Sequence, residues 1–126
     1  MNRCFACGEG NPEGLKLKFH YDPEQLIAKT ELRIASKYQG ATGFAHGGII
    51  ATLLDEAMAK ANGLAGIRAV TLKISVSYRK MVPLKQRLTL TGWRTLRKGR
   101  KLYLRSELRD QHETLLAEAR GLFLTV

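Results

Sequence analysis

Hydrophobic and polar residues alternate along most of this chain. Leu15, Leu17, Phe19 and Tyr21 alternate with Lys16, Lys18 and His20, the pattern of a strand with one buried face. Asp22-Pro23-Glu24 turns the chain. Leu26, Ala28, Thr30, Leu32 and Ile34 then alternate with Lys29, Glu31 and Arg33 to make the hairpin partner. Further on, Val70, Leu72, Ile74, Val76 and Tyr78 are expected on the core face of a long strand. Thr71, Lys73, Ser75, Ser77 and Arg79 take its polar face, and Pro83 breaks it. Residues 86–96 and 101–109 read as two more strands joined through Arg97-Lys98-Gly99-Arg100. Asp110-Gln111-His112-Glu113 makes the next turn, and residues 114–125 form the last strand.

One segment departs from this period. Ile49, Ile50, Leu53, Leu54, Ala57 and Ala61 recur as one helical face, and Asn62-Gly63 supplies a stop. Residues 4–14 are an irregular lead-in, and residues 35–45 form a loop that delivers the chain to the helix. The order β-β-α-β-β-β-β predicts an α+β fold, one long helix packed across an antiparallel sheet.

The helix start holds the chemistry. Gly47 and Gly48 stand where backbone N–H groups lack internal partners. Without Cβ atoms they are either a tight turn or a place where a ligand oxygen can reach those donors, an oxyanion hole. Asp55 projects about 160° from the apolar stripe, on a face shared with Gly48, Thr52 and Ala59. It is either an ordinary solvated acid or a carboxylate held in a cleft where small residues pack against another chain. Glu56 is a boundary residue. Thr71 either follows β-propensity or positions a water or a substrate carbonyl.

Composition adds less. The 126 residues, 44% hydrophobic and 25% charged, suit one ordinary globular domain spanning 1–126. Neither a membrane-length apolar run nor a signal-peptide core is present, so a cytoplasmic protein is expected. Twenty-one basic against eleven acidic residues leave a formal charge of +10, which favours polyanionic partners. Cys4 and Cys7 form a C-x2-C without a second pair or a histidine pair to complete four zinc ligands. The reading is two reduced cysteines in a folded turn, with no metal and no cofactor.

Phe44-Ala45-His46-Gly47-Gly48 followed by Ala51-Thr52-Leu53-Leu54-Asp55 resembles the signature of hotdog-fold acyl-CoA thioesterases, in particular the phenylacetate-pathway (PaaI-like) group. Cys4-Phe5-x-Cys7-Gly8 with Asn11-Pro12-x-Gly14-Leu15 is similar to a branch related to thioesterase superfamily members 4 and 5, and Val70-Thr71 and Tyr78-Arg79 match the strand after the helix. The resemblance implies an antiparallel sheet wrapped around a central helix, with sites between two subunits of a homodimer or of a tetramer built as a dimer of dimers. It implies that Gly47 or Gly48 holds the thioester carbonyl, Asp55 is general base or nucleophile, Thr71 orients the lytic water and His46 orders the loop. Relatives often place Asn or Gln six residues before the histidine. This chain has Gly40 there, with Gln39 one position earlier as the candidate substrate contact.

An acyl-CoA substrate gives the basic residues a role. Arg97, Lys98 and Arg100 on the hairpin, with Arg79 elsewhere, are candidate phosphate contacts; the alternative is a solvated charged turn. A non-catalytic acyl-CoA-binding hotdog domain, acting as sensor or carrier, is the rival reading. Nucleic-acid binding is disfavoured, because only Trp93 and Tyr103 interleave with the basic hairpin. A hydratase would want a His–Asp pairing that Asp55 lacks. No membrane partner is expected.

Overall fold

The computed structural model describes residues 2–126. Strands β1 (His20–Asp22) and β2 (Ile27–Leu32) precede a single 3-10 turn at Ser36–Tyr38 and helix α1 (Gly47–Gly63). Strands β3 (Ala69–Tyr78), β4 (Leu88–Lys98), β5 (Lys101–Asp110) and β6 (Leu115–Thr125) follow. They form one six-stranded antiparallel sheet in the order β1-β2-β4-β5-β6-β3. The single helix lies across this sheet, as the hotdog expectation requires.

Alternation decides which face α1 covers. Leu88 and Leu90 on β4, Leu102, Leu104 and Leu108 on β5, and Ala117, Ala119 and Phe123 on β6 all point under the helix and are buried. Ile50, Leu53, Leu54, Ala57, Met58 and Ala61 answer them from α1. Two glycines set how closely the layers meet. A Cβ on Gly92 would overlap the Ala57 carbonyl, and one on Gly121 would lie 2.8 Å from the Met58 sulfur. Ser106, opposite Gly92 in the register, is also buried beneath the helix.

Two expectations need correction. The alternation of Leu15, Leu17 and Phe19 marks residues packed on the core, but the strand itself is only His20–Asp22. The amides of Leu15 and Leu17 are taken by the lead-in, donating to the carbonyls of Phe5 and Ala6 at 2.7 and 2.8 Å. The second correction is on β3. Its register against β6 shifts between Thr71 and Lys73, so Leu72 is an extra residue. A bulge reverses the parity of a strand. Thr71 therefore lies opposite buried Phe123, on the face that Ile74 and Val76 share. Val70 and Leu72 are not core positions, being 47% and 53% exposed.

Strand β3 is also one edge of the sheet, ten residues long and bonded to β6 on one side only. The opposite edge, β1, has three residues.

Candidate active site

The loop before α1 is held by its backbone. Ala45 N–H donates to the Val82 carbonyl and His46 N–H to that of Tyr38, both at 2.9 Å. Extended backbone at His46 makes it the N-cap, and its Nδ1 accepts from Gly48 N–H at 2.9 Å. The imidazole proton then sits on Nε2. The His46 carbonyl accepts from Ile49 and Ile50 at 3.0 and 3.1 Å. Of the four N–H groups that open a helix, that of Gly47 alone has no partner among the described residues. Its carbonyl is fixed, accepting from the Tyr78 hydroxyl at 2.8 Å. The choice that the sequence left open between the two glycines thus falls on Gly47 as the free donor.

Asp55 stands two turns along, half-buried, and accepts from the Thr71 hydroxyl at 2.8 Å through Oδ1. The bulge at Leu72 makes this contact possible by turning Thr71 toward the helix. Oδ2 is left for another donor, and the lone pairs of Thr71 Oγ1 can accept from a water between the two groups. Thr52 donates to the Gly48 carbonyl at 2.9 Å, so the small-residue face keeps its own hydroxyl on the helix.

These two centres are brought together only in pairs. Gly47 contacts Tyr78 at the end of β3 and Asp55 contacts Thr71 near its start, so α1 and β3 run in opposite directions. Eight residues of helix separate the free amide from the carboxylate by about 12 Å. One small acyl carbonyl cannot touch both within one chain.

The remaining candidates divide. Gln39 Oε1 accepts from Gly43 N–H at 2.8 Å, closing the loop, which leaves only its NH2 to meet a ligand. Gly40 packs beside His46, where a Cβ would come within 2.9 Å of the His46 Cα. Arg79 pairs with Glu118 at 3.0 Å and borders a cavity of about 330 Å³ lined also by Phe44, Gly47, Ile50, Tyr78 and Met81. Arg97 and Arg100 bond to the carbonyls of Gly99 and Thr125 at 3.1 and 2.9 Å, and Lys98 is exposed. Thr125 faces Ala69 in the register, so the basic hairpin borders the Thr71 end of β3, far from the glycines of its own chain. Alternation marks Tyr78 only as a core residue, and nothing in the sequence signals that its hydroxyl bonds the Gly47 carbonyl.

Burial, reinforced by the Glu56 carboxylate, pushes the Cys7 thiol up to about 11. Cys4 and Cys7 are free.

Comparison with known proteins gives one consistent answer. Residues 42–117 match the profile of the thioesterase superfamily. The acyl-coenzyme A thioesterase THEM5 of Mus musculus is 34% identical over 114 residues, covering 89% of this chain and 46% of that protein. Its Homo sapiens counterpart is 28% identical over 120 residues, covering 94% of this chain and 48% of the relative. The chain thus spans about half the length of these curated relatives. A crystal structure of a thioesterase superfamily protein superposes with a TM-score of 0.91 at 27% identity, covering 98% of this chain and 63% of the other. The E. coli PaaI protein, from the phenylacetic acid degradation operon, shares the fold with a TM-score of 0.79 at 18% identity, covering 89% and 80%.

Proposed function

Because this chain belongs to the thioesterase superfamily, we propose that it hydrolyses the thioester bond of an acyl- or aryl-CoA to a free acid and CoA, as one hotdog domain over residues 1–126. The observation that carries the proposal is the Thr71–Asp55 hydrogen bond, which holds a half-buried carboxylate in one orientation. A domain that only binds acyl-CoA has no need of a fixed base.

The working unit in this reading is at least a homodimer paired along β3, and a dimer of dimers is compatible with it. Antiparallel pairing of two β3 edges about their midpoint sets the Tyr78 end of one strand against the Thr71 end of the other. Gly47 of the partner subunit then comes beside Asp55, closing the separation that one chain cannot. The length of β3 and its unpaired side support this, since an edge of that kind otherwise invites aggregation.

The steps follow from the groups. Gly47 N–H receives the thioester carbonyl oxygen and stabilises the negative charge that grows there. Asp55 Oδ2 takes a proton from a water that Thr71 Oγ1 helps to hold, and the water oxygen bonds to the carbonyl carbon. Collapse breaks the carbon–sulfur bond, and the proton on Asp55 passes to the departing CoA sulfur. His46 keeps the first turn rigid through Gly48, and Tyr78 does so through the Gly47 carbonyl. The cavity beside Gly47 takes the apolar chain next to the carbonyl. Arg97, Lys98 and Arg100, beside the Thr71 end of β3, meet the CoA phosphates, with Arg79 and the amide of Gln39 as further substrate contacts.

We also place the protein in the cytoplasm. Two free cysteines suit a reducing compartment, and no helix among the described residues is long and apolar enough to cross a membrane.

Thiol release from a panel of acyl- and aryl-CoAs tests the activity. Turnover of at least one class supports it, whereas tight binding without thiol release would establish the carrier reading. A single turnover in ¹⁸O-water separates the chemical routes. Label in the product acid is expected for water attack, and label in Asp55 would make that residue the nucleophile.

A further inference from the structure

Three potential metal ligands outside the hydrolytic site converge where the lead-in meets α1. The Sγ atoms of Cys4 and Cys7 and a carboxylate oxygen of Glu56 lie within 4.8 Å of one another, all three residues half-buried. We propose that Cys4, Cys7 and Glu56 bind one zinc ion, which clasps the N-terminal segment to the helix.

The local backbone suits this. The turn from Cys4 to Gly8 is closed by Gly8 N–H donating to the Cys4 carbonyl at 2.9 Å. A Cβ at Gly8 would overlap the Cys4 backbone, so the glycine after the second cysteine permits the turn that brings both sulfurs to one side. Glu56 supplies the third ligand from forty-nine residues further on, a separation at which no spacing motif in the sequence could reveal it. Tetrahedral Zn²⁺, with sulfur at about 2.3 Å and oxygen at about 2.0–2.2 Å, needs its ligand atoms roughly 3.5–3.8 Å apart. A side-chain adjustment of about 1 Å closes the set around the ion, leaving the fourth position to water. Two thiolates with one carboxylate suit Zn²⁺ and are too soft a set for Mg²⁺ or Ca²⁺. Lys60 stands beside Cys7 and offsets part of the remaining negative charge.

The clasp has a structural consequence. Phe5 and Ala6, held between the two cysteines, accept the amides of Leu15 and Leu17. Residues 14–18 wall a cavity of about 460 Å³ that Ile49 and Leu53 of α1 close from the other side. Fixing Cys4 and Cys7 on Glu56 therefore fixes one wall of that cavity.

The test uses the full chain, reduced and stripped of metal, titrated with Co²⁺ as a spectroscopic substitute. A sulfur-to-cobalt charge-transfer band and strong tetrahedral visible absorption should saturate at one equivalent, and Zn²⁺ but not Mg²⁺ should bleach them. Cys7→Ser should weaken the charge-transfer band and the binding, and joint replacement of Cys4 and Cys7 by Ser should abolish the band. Glu56→Gln, a conservative change at a half-exposed helix position, should weaken Co²⁺ binding at least ten-fold with circular dichroism unchanged. Zn²⁺ should raise the Tm of the wild-type chain by several degrees and leave that of Glu56→Gln nearly unmoved. A reduced, folded wild-type chain without the charge-transfer band would overturn the site. Unchanged Co²⁺ affinity in Glu56→Gln would overturn the three-ligand assignment.

Discussion

Asp55 and Thr71 share one short hydrogen bond and carry different parts of the proposed chemistry. The carboxylate takes a proton, while the hydroxyl orients the carboxylate and accepts from water. Asp55→Ala should lower kcat by ~10²–10⁴, the range of a positioned acid–base group. Thr71→Ala should lower it less, because the base remains. Steady-state turnover at saturating acyl-CoA checks both, and a larger loss in Thr71→Ala would reverse the two roles. Asp110 ends β5 at the turn into β6. The N–H of Thr114 is the main cause that holds the Asp110 carboxyl below the ordinary 3.8; burial opposes it, and the N–H and charge of His112 add to the lowering. A group with a depressed folded pKa adds stability above its unfolded value and loses it as pH falls through the folded one. Melting temperatures should therefore fall more steeply below about pH 4 in the wild-type chain than in Asp110→Asn, which keeps an acceptor but does not titrate there. Parallel acid profiles would contradict this.

At the scale of elements, the contact between α1 and the sheet depends on Gly92. The atom that an added Cβ would overlap is the backbone carbonyl of Ala57, which cannot swing aside. Gly92→Ala should destabilise by at least the upper part of the ~1–3 kcal/mol range for overpacking, read from denaturant midpoints. Gly63, where a Cβ would meet nothing within 4 Å, should accept Ala with a gain of up to ~1 kcal/mol. A similar effect at both positions would contradict the packing account. The helix itself was legible in the sequence, because a 3.6-residue period with a glycine stop survives any sheet geometry. So was the succession of strands along the chain, which turn chemistry punctuates; their order in the sheet was not, because it depends on pairings between distant segments. The side that Thr71 faces was not, because two-residue alternation assumes an unbroken ladder and the bulge at Leu72 reverses it. The short β1 was hidden for another reason. Alternation reports burial of Leu15, Leu17 and Phe19, whereas strand pairing depends on where their amides go, and the lead-in claims two of them. Their shared place at the helix start makes Gly47 and Gly48 equivalent in the sequence, and only the His46 ring separates them.

The whole molecule carries a formal charge of +10, part of it on the β4–β5 hairpin beside the Thr71 end of β3. Joint replacement of Arg97, Lys98 and Arg100 by Ala should raise KM for CoA esters several-fold with little change in kcat, since phosphate contacts serve ground and transition state alike. Added salt should raise the wild-type KM in the same direction, because exposed charges are screened. An unchanged KM with kcat reduced would move the hairpin from binding into chemistry. The central claim is the composite site, in which the free amide of one subunit meets the carboxylate of the other. Its most direct measurement mixes two inactive variants, Asp55→Ala and Gly47→Leu, carrying different affinity tags so that mixed dimers can be isolated. In a shared site the mixed dimer holds one intact pair, Gly47 from the first variant and Asp55 from the second. Purified mixed dimers should then recover about half of wild-type activity per dimer, one site of two. Isolated mixed dimers as inactive as either parent would contradict the account, and so would a monomeric wild-type chain that hydrolyses acyl-CoA at full rate.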